Sequence, residues 1–362
     1  MTIIIAEAGV NHNGDENLAY ALVDAAKEAG ADIVKFQTFK AEKLASKFAD
    51  KADYQIEKTG GAESQLSMLQ KLELSYDAFI RLSDYCKQKD IIFMSTAFEE
   101  ESLNFLVERL DVKTLKIPSG EITNAPLLLA HARTGREIIL STGMATLDEI
   151  QDALGVIAFG LINSSDVLPK SKKDFDAAFD SNEGKQKLLE KVTILHCTSE
   201  YPTPLGDVNV RAIDTMREKF GLKTGLSDHS EGIFAAIAAA SRGACLVEKH
   251  FTLDKSMEGP DHSASLSPEE LNQLVSGIRQ VEKALGSGRK EPQEYEYKNQ
   301  RVIRKSVVAS KDIEAGEPFS QDNISVMRPG IGVSPFKYWD LLSITADKSY
   351  KAGELICSPN DS

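Results

Sequence analysis

The sequence predicts an α/β fold: a closed (βα)8 TIM barrel followed by a small, mostly β domain. Three observations point there. Short apolar runs rich in β-branched residues alternate with helical patterns, and eight of them begin near Ile3, Ile33, Ile91, Thr114, Glu137, Val192, Lys223 and Cys245. Most intervals are 22–31 residues, one strand plus one helix, and the two long ones carry polar insertions at about 38–64 and 163–190. Without those insertions the first 300 residues shrink to 245, close to the roughly 250 of an eightfold barrel.

Taken in order, the runs III, DIVKF, IIFMS and EIILS lack polar alternation until their last residues, as parallel strands buried on both faces require. Leu18, Leu22, Ala25 and Ala29 recur at helical spacing after the first run, and Leu103, Leu106, Val107 and Leu110 after the third. Thr146–Glu149 reads as a capping box. Ser267, Pro268 and Glu270 open the last barrel helix, with Leu271, Leu274, Val275, Ile278, Val281 and Leu285 as its apolar stripe. An open doubly wound sheet is the main alternative, but its GxGxxG fingerprint is absent. The stretch 287–300, SGRKEPQEYEYKNQ, is polar and poor in aliphatics, so it reads as a linker. It separates a barrel domain at 1–286 from a tail domain at 301–362.

Composition narrows the function. Forty-two basic against 55 acidic side chains leave a net charge of −13. The tail balances eight of each, so the barrel carries the whole excess. Such a chain repels nucleic acid and anionic lipid. The N-terminal MTIIIAEAG has no basic region, and no stretch reaches the roughly 18 apolar residues of a membrane span. Four cysteines without a CxxC pair read as reduced thiols, and the expected location is cytoplasmic.

Barrel chemistry gathers at the C-terminal strand ends, and every candidate strand ends in polar groups. They include Glu7, Lys35 with Gln37, Thr96 with Phe98, and Lys116 followed by Ser119 and Glu121. Ser141 follows, then Tyr201 beyond the sixth strand, Ser227 with His229, and His250. Lys35, Lys116 and the hydroxyls suit a small polyanion carrying a phosphate and a carboxylate. His229 and His250 end neighbouring strands and could share one divalent ion, with Glu7 and Asp261 completing its shell or holding its water. Imidazole and oxygen donors without thiolate suit Mn²⁺ or a similar ion. Singly, each residue has a plainer reading: a lysine pairs with Glu121 or Glu248, a hydroxyl caps a helix, a histidine packs in a core. The constellation carries the case. His131, His196 and the cysteines read as structural, and His12 as a loop residue at the mouth.

At these residues, EAGVNHNG, DIVKFQT, FMSTAF, LKIPSGE, LSTGM, LHCTSEYPTP, GLSDHS, EKHFT and GPDHSAS together resemble the sialic acid synthase family. The tail, with KSVVASKDIEAGE and VMRPGIGVSP, resembles that family's antifreeze-like (SAF) domain. The resemblance implies condensation of phosphoenolpyruvate with an N-acylated mannosamine-type sugar to a nine-carbon 2-keto acid. It assigns His229 and His250 to the metal, Mn²⁺ first with Mg²⁺ or Co²⁺ as alternatives. Lys35, Thr96, Lys116, Ser119, Ser141 and Ser227 go to phosphoenolpyruvate, and Glu7, Gln37, Phe98, Glu121, Tyr201 and Asp261 surround the sugar and reacting centre. Arg328 would reach the acyl group from the partner of a domain-swapped homodimer.

Ser199, the insertion at 163–190, GEITNAPL and PDHSAS lean toward members that use 2,4-diacetamido-2,4,6-trideoxymannose and make legionaminic acid. N-acetylneuraminate and pseudaminate synthases are the neighbouring readings. Two other classes compete. A metal-dependent amidohydrolase needs an HxH pair after the first strand, where this chain has Asn11-His12-Asn13. A non-enzymatic carbohydrate- or polyol-binding protein would gain nothing from desolvating Lys35, Lys116 and Glu7 together.

Overall fold

The computed structural model describes residues 1–46, 49, 56 and 64–357. Eight parallel strands close into a barrel in sequence order. They are β1 (Ile3–Gly9), β2 (Ile33–Thr38), β3 (Ile92–Ala97), β4 (Thr114–Ile117), β5 (Glu137–Ser141), β6 (Val192–Cys197), β7 (Lys223–Asp228) and β8 (Leu246–His250). Six begin where the sequence places them, and two begin one residue later. The insertion expected at 38–64 lies largely outside the described residues.

Period-two alternation sorts each strand. One face packs against the helices: Ile4, Ala6, Val34, Phe36 and Val247 join Leu22, Phe79, Leu82, Leu271 and Ile278 in one apolar cluster. The other faces the barrel axis, where Ile5, Ile33, Met94, Ile139, Leu195 and Leu246 form a separate hydrocarbon layer. On β7 that level belongs to Gly225, paired with Leu195. A Cβ there would lie 2.3 Å from the Leu246 carbonyl oxygen and 2.7 Å from Leu195 Cδ2. One step of two residues higher, the inward positions turn polar.

The helices obey local rules. Asp15 caps the first, Glu16–Ala29, by accepting from the Asn17 N–H, and Gly30 ends it in the left-handed region at φ 83°. Both expected capping boxes are present, on Leu147–Ile162 and Pro268–Leu285. In the latter the buried stripe stops at Ile278, and Leu285 is exposed. The insertion at 163–190 holds two helices, Lys172–Asp180 and Asn182–Lys191.

The chain divides into two compact units at Gly286/Ser287. Residues 287–300, read as a linker, belong to the second unit, and Glu294–Ile303 is a helix capped at Gln293. That unit pairs β9 (Ser306–Ala309) with β10 (Ile324–Met327) in antiparallel register. Its own core contains Val307, Ala309, Ile313, Phe319, Ile324, Val333, Leu341, Tyr350 and Ile356. No described helix is long and apolar enough to cross a membrane.

Candidate active site

Directly above the hydrocarbon layer, each strand contributes its next inward residue: Glu7, Lys35, Thr96, Lys116, Ser141, Cys197, Ser227 and Glu248. All line one cavity of about 500 Å³. Gln37, Phe98, Ser119, Glu121, Tyr201, His229, His250 and Asp261 line it too. Every expected barrel residue is therefore in one place. Arg328 lies in the second unit, where its Nε donates to the Ile303 carbonyl. His12 is buried below the loop, its Nδ1 accepting from the Gly14 N–H, and it does not line the cavity.

Charges alternate across the floor. Lys35 Nζ lies 2.8 Å from Glu7 Oε2 and 3.6 Å from Glu248 Oε2. Lys116 Nζ donates to Glu248 Oε1 at 3.0 Å, as does Ser227 Oγ. Gln37 Nε2 reaches Glu7 Oε1 at 3.4 Å, and Lys35 donates to Thr96 Oγ1 at 3.2 Å. Glu248 from β8 thus bridges to β2 and β4. Burial alone would raise its pKa, but the two ammonium groups outweigh it and hold it at about 2. Burial dominates at Glu7, where it outweighs Lys35 and, helped by Glu248, lifts the carboxyl to about 7. Lys35 is pushed up despite burial, because both carboxylates favour its charge.

Above the floor, the rings of His229 and His250 have centroids 5.5 Å apart. Two imidazole nitrogens on one ion at bonding distance place the rings about 5 Å apart. The Tyr201 ring covers His229 at 4.1 Å and meets His250 edge-on at 5.7 Å. His229 Nδ1 donates to the Thr198 carbonyl at 2.7 Å, which leaves the Nε2 lone pair for a ligand. Burial, reinforced by His229 and Lys35, drives the His250 pKa well down, so its imidazole is neutral. His250 Nδ1 is buried without a hydrogen-bond partner, 3.9 Å from Asp261 Oδ2. Burial raises Asp261 to about 6.

The donor set fits a divalent ion on two imidazoles. Burial disfavours charge on His229, but Cys197 and the Thr198 carbonyl outweigh it and push its pKa up; a divalent ion on the two imidazoles would displace that proton. Among the described residues no group of three or more His, Cys, Asp and Glu is set to hold a metal. Ser141 Oγ is also buried without a hydrogen-bond partner, as a polar group kept for a ligand in such a cavity would be.

Two residues were missed in the sequence. The sequence suggests for Glu248 only a lysine partner and for Cys197 only a structural place. Both occupy the same inward position as Lys35 and Ser227, and counting in twos along each strand finds them. Loop residues also do more than their types announce. Asn11 Nδ2 donates to the Phe251 carbonyl and to Ser265 Oγ, which donates to the Asp261 carbonyl. His262 bridges Thr252 Oγ1 at 2.6 Å and Asn13 Oδ1 at 3.1 Å. The loops after β1 and β8 are thereby tied together and fix Asp261 at the rim.

A closed parallel barrel that buries lysines, carboxylates and two histidines at the C-terminal mouth, over a hydrocarbon floor, has the build of a barrel enzyme. The chain belongs to the NeuB family, whose model matches residues 22–290, and a SAF domain matches 304–356. It is 48% identical over 98% of both chains to the N,N'-diacetyllegionaminic acid synthase of Campylobacter jejuni. It is 42% identical to the enzyme of that name from Legionella pneumophila, over 97% of this chain and 92% of that one. Among solved structures, the N-acetylneuraminic acid synthetase of Leptospira borgpetersenii in complex with citrate matches with a TM-score of 0.66 and 33% identity. That match covers 82% of this chain and 90% of the other.

Proposed function

We propose that this enzyme condenses phosphoenolpyruvate with 2,4-diacetamido-2,4,6-trideoxymannose, giving N,N'-diacetyllegionaminic acid and phosphate. The observation that carries the proposal is the division of the cavity into two chemistries. Its floor holds two buried lysines among hydroxyls. One wall is apolar, with Val10, Leu44, Met68, Leu69, Leu72 and Phe98. The floor suits a phosphate and a carboxylate, and the wall suits an acceptor with a deoxy methyl and two acetyl groups. Full-length identity of 48% and 42% to two legionaminic acid synthases, against 33% to the neuraminic acid synthetase, supports the same acceptor.

Lys35, Lys116, Thr96, Ser119, Ser141 and Ser227 bind the phosphate and carboxylate and hold C3 of phosphoenolpyruvate toward the acceptor. A divalent ion on His229 and His250, Mn²⁺ first, would supply Lewis-acid polarisation of the acceptor's aldehyde oxygen. C3 attacks the aldehyde carbon with the enol's electron pair, the aldehyde π pair moves onto its oxygen, which takes up one proton, and C2 becomes electron-poor. Glu7 or Asp261 orients a water and takes its proton as its oxygen bonds C2. The C2–O bond to phosphate then breaks, phosphate leaves with the bonding pair and takes the proton of the new C2 hydroxyl, and the carbonyl forms at C2. Gln37, Glu121, Phe98 and Tyr201 orient the sugar. Arg328 of a second copy reaches its acyl group in a domain-swapped homodimer. A cytoplasmic location follows from the use of phosphoenolpyruvate.

Phosphate release, followed with the diacetamido trideoxy sugar, its altro epimer and N-acetylmannosamine, tests this reading, with mass spectrometry of the product. The first should give the highest kcat/KM. A tenfold preference for N-acetylmannosamine sinks the acceptor assignment, and no release with any sugar sinks the enzyme.

A further inference from the structure

One buried ion pair has no part in these steps. Lys249 and Asp228 are each 1% exposed, their side chains on the outer face of β8 and β7, away from the cavity. Lys249 Nζ donates to Asp228 Oδ2 at 2.8 Å and to the Ser230 carbonyl. Asp228 Oδ1 in turn accepts from Ser230 N at 2.9 Å and Ser230 Oγ at 2.7 Å. The residues on both sides of His229 are thus stapled to the residue before His250.

The ladder between β7 and β8 ends at Asp228 and Lys249. Beyond it, His229 is held from the β6 side, where its carbonyl accepts from Thr203 N at 2.9 Å. His250 is held from the β1 side, opposite Glu7. Nothing in the backbone ladder ties the two histidines to one another. A buried ion pair gives little stability over an apolar pair of the same size, and its best-attested use is to fix register.

We propose that Asp228 and Lys249 are positioning residues that set the separation of His229 and His250 for metal binding. This rests on the reading of those histidines as the metal pair. Groups that hydrogen-bond metal ligands alter metal affinity by about 10- to 100-fold when removed, and this pair acts on the backbone that carries both ligands.

The test is titration of the full-length protein with Mn²⁺, the free ion read by electron paramagnetic resonance. D228N/K249M removes both charges and leaves an oxygen for Ser230. It should bind Mn²⁺ about 10- to 100-fold more weakly while its circular dichroism and melting temperature stay near those of the wild type. D228N/K249L, a second charge-free pair with a different apolar side chain, should weaken binding likewise and serves if the first double variant melts early. Wild-type affinity in either folded variant overturns the proposal. A wild-type protein that binds no more Mn²⁺ than H229A/H250A overturns the metal reading with it, and that outcome is separately visible.

Discussion

Replacing Glu7 by Gln isolates proton transfer from binding. The change keeps the shape of the side chain and an oxygen for Lys35 but removes a titratable group whose pKa of about 7 suits neutral catalysis. A positioned general base contributes about 10²- to 10⁴-fold, so kcat should fall by that factor, or about 3–5 kcal/mol at 1.36 kcal/mol per decade. The floor should survive, because Lys35 retains Thr96 at 3.2 Å and Glu248 at 3.6 Å. The 2.8 Å ion pair becomes an ammonium–amide hydrogen bond. Removing one negative charge beside Lys35 leaves phosphoenolpyruvate binding equal or tighter. Single-turnover phosphate release and direct binding of phosphoenolpyruvate by calorimetry separate the two. The wild-type rate should rise through about pH 7 as the base ionises, and E7Q should lack that limb. The fold raises this carboxyl from 4.5, so the stability it adds is present below pH 4.5 and lost as pH rises through 7. E7Q should accordingly gain stability relative to wild type at pH 8. Turnover within tenfold of wild type refutes the assignment.

Lys116→Met, combined with Glu248→Gln to avoid a half-paired carboxylate, removes one charged hydrogen bond, worth about 1.5–3 kcal/mol. The KM for phosphoenolpyruvate should rise at least tenfold, read from the substrate dependence of phosphate release, and an unchanged KM would clear Lys116 of that role. Dialysis against EDTA should abolish turnover and added Mn²⁺ should restore it, whereas H229A should not recover; activity persisting after chelation counts against the metal. Gly225→Ala should lose about 3 kcal/mol or more by overpacking, since its Cβ has backbone 2.3 Å away. A wild-type urea midpoint would contradict that.

The strand starts were legible because parallel barrel strands are continuous apolar runs, and the catalytic face because polarity breaks those runs at one end. Strand ends alone were too coarse a guide. Asp228 and Lys249 follow the same polar signal as His229 and His250 but point the other way, while Glu248, one residue before Lys249, points in. Parity separates them only once the closed sheet is known. The helix Glu294–Ile303 escaped because Tyr295, Tyr297, Val302 and Ile303 are exposed and form no buried stripe. The helices at 172–191 escaped for a related reason. Ala178 and Leu188 are buried, but charged residues surround them in sequence and mask the period.

The layer of Ile5, Ile33, Met94, Ile139, Leu195 and Leu246 stoppers one end of the reaction vessel. A vessel closed at that end imposes traffic rules. Whatever lodges against the lysines has to arrive before a bulky sugar plugs the neck, and whatever forms beneath that sugar has to wait for it to depart. Compulsory order of arrival would then come from hydrocarbon that touches no reactant.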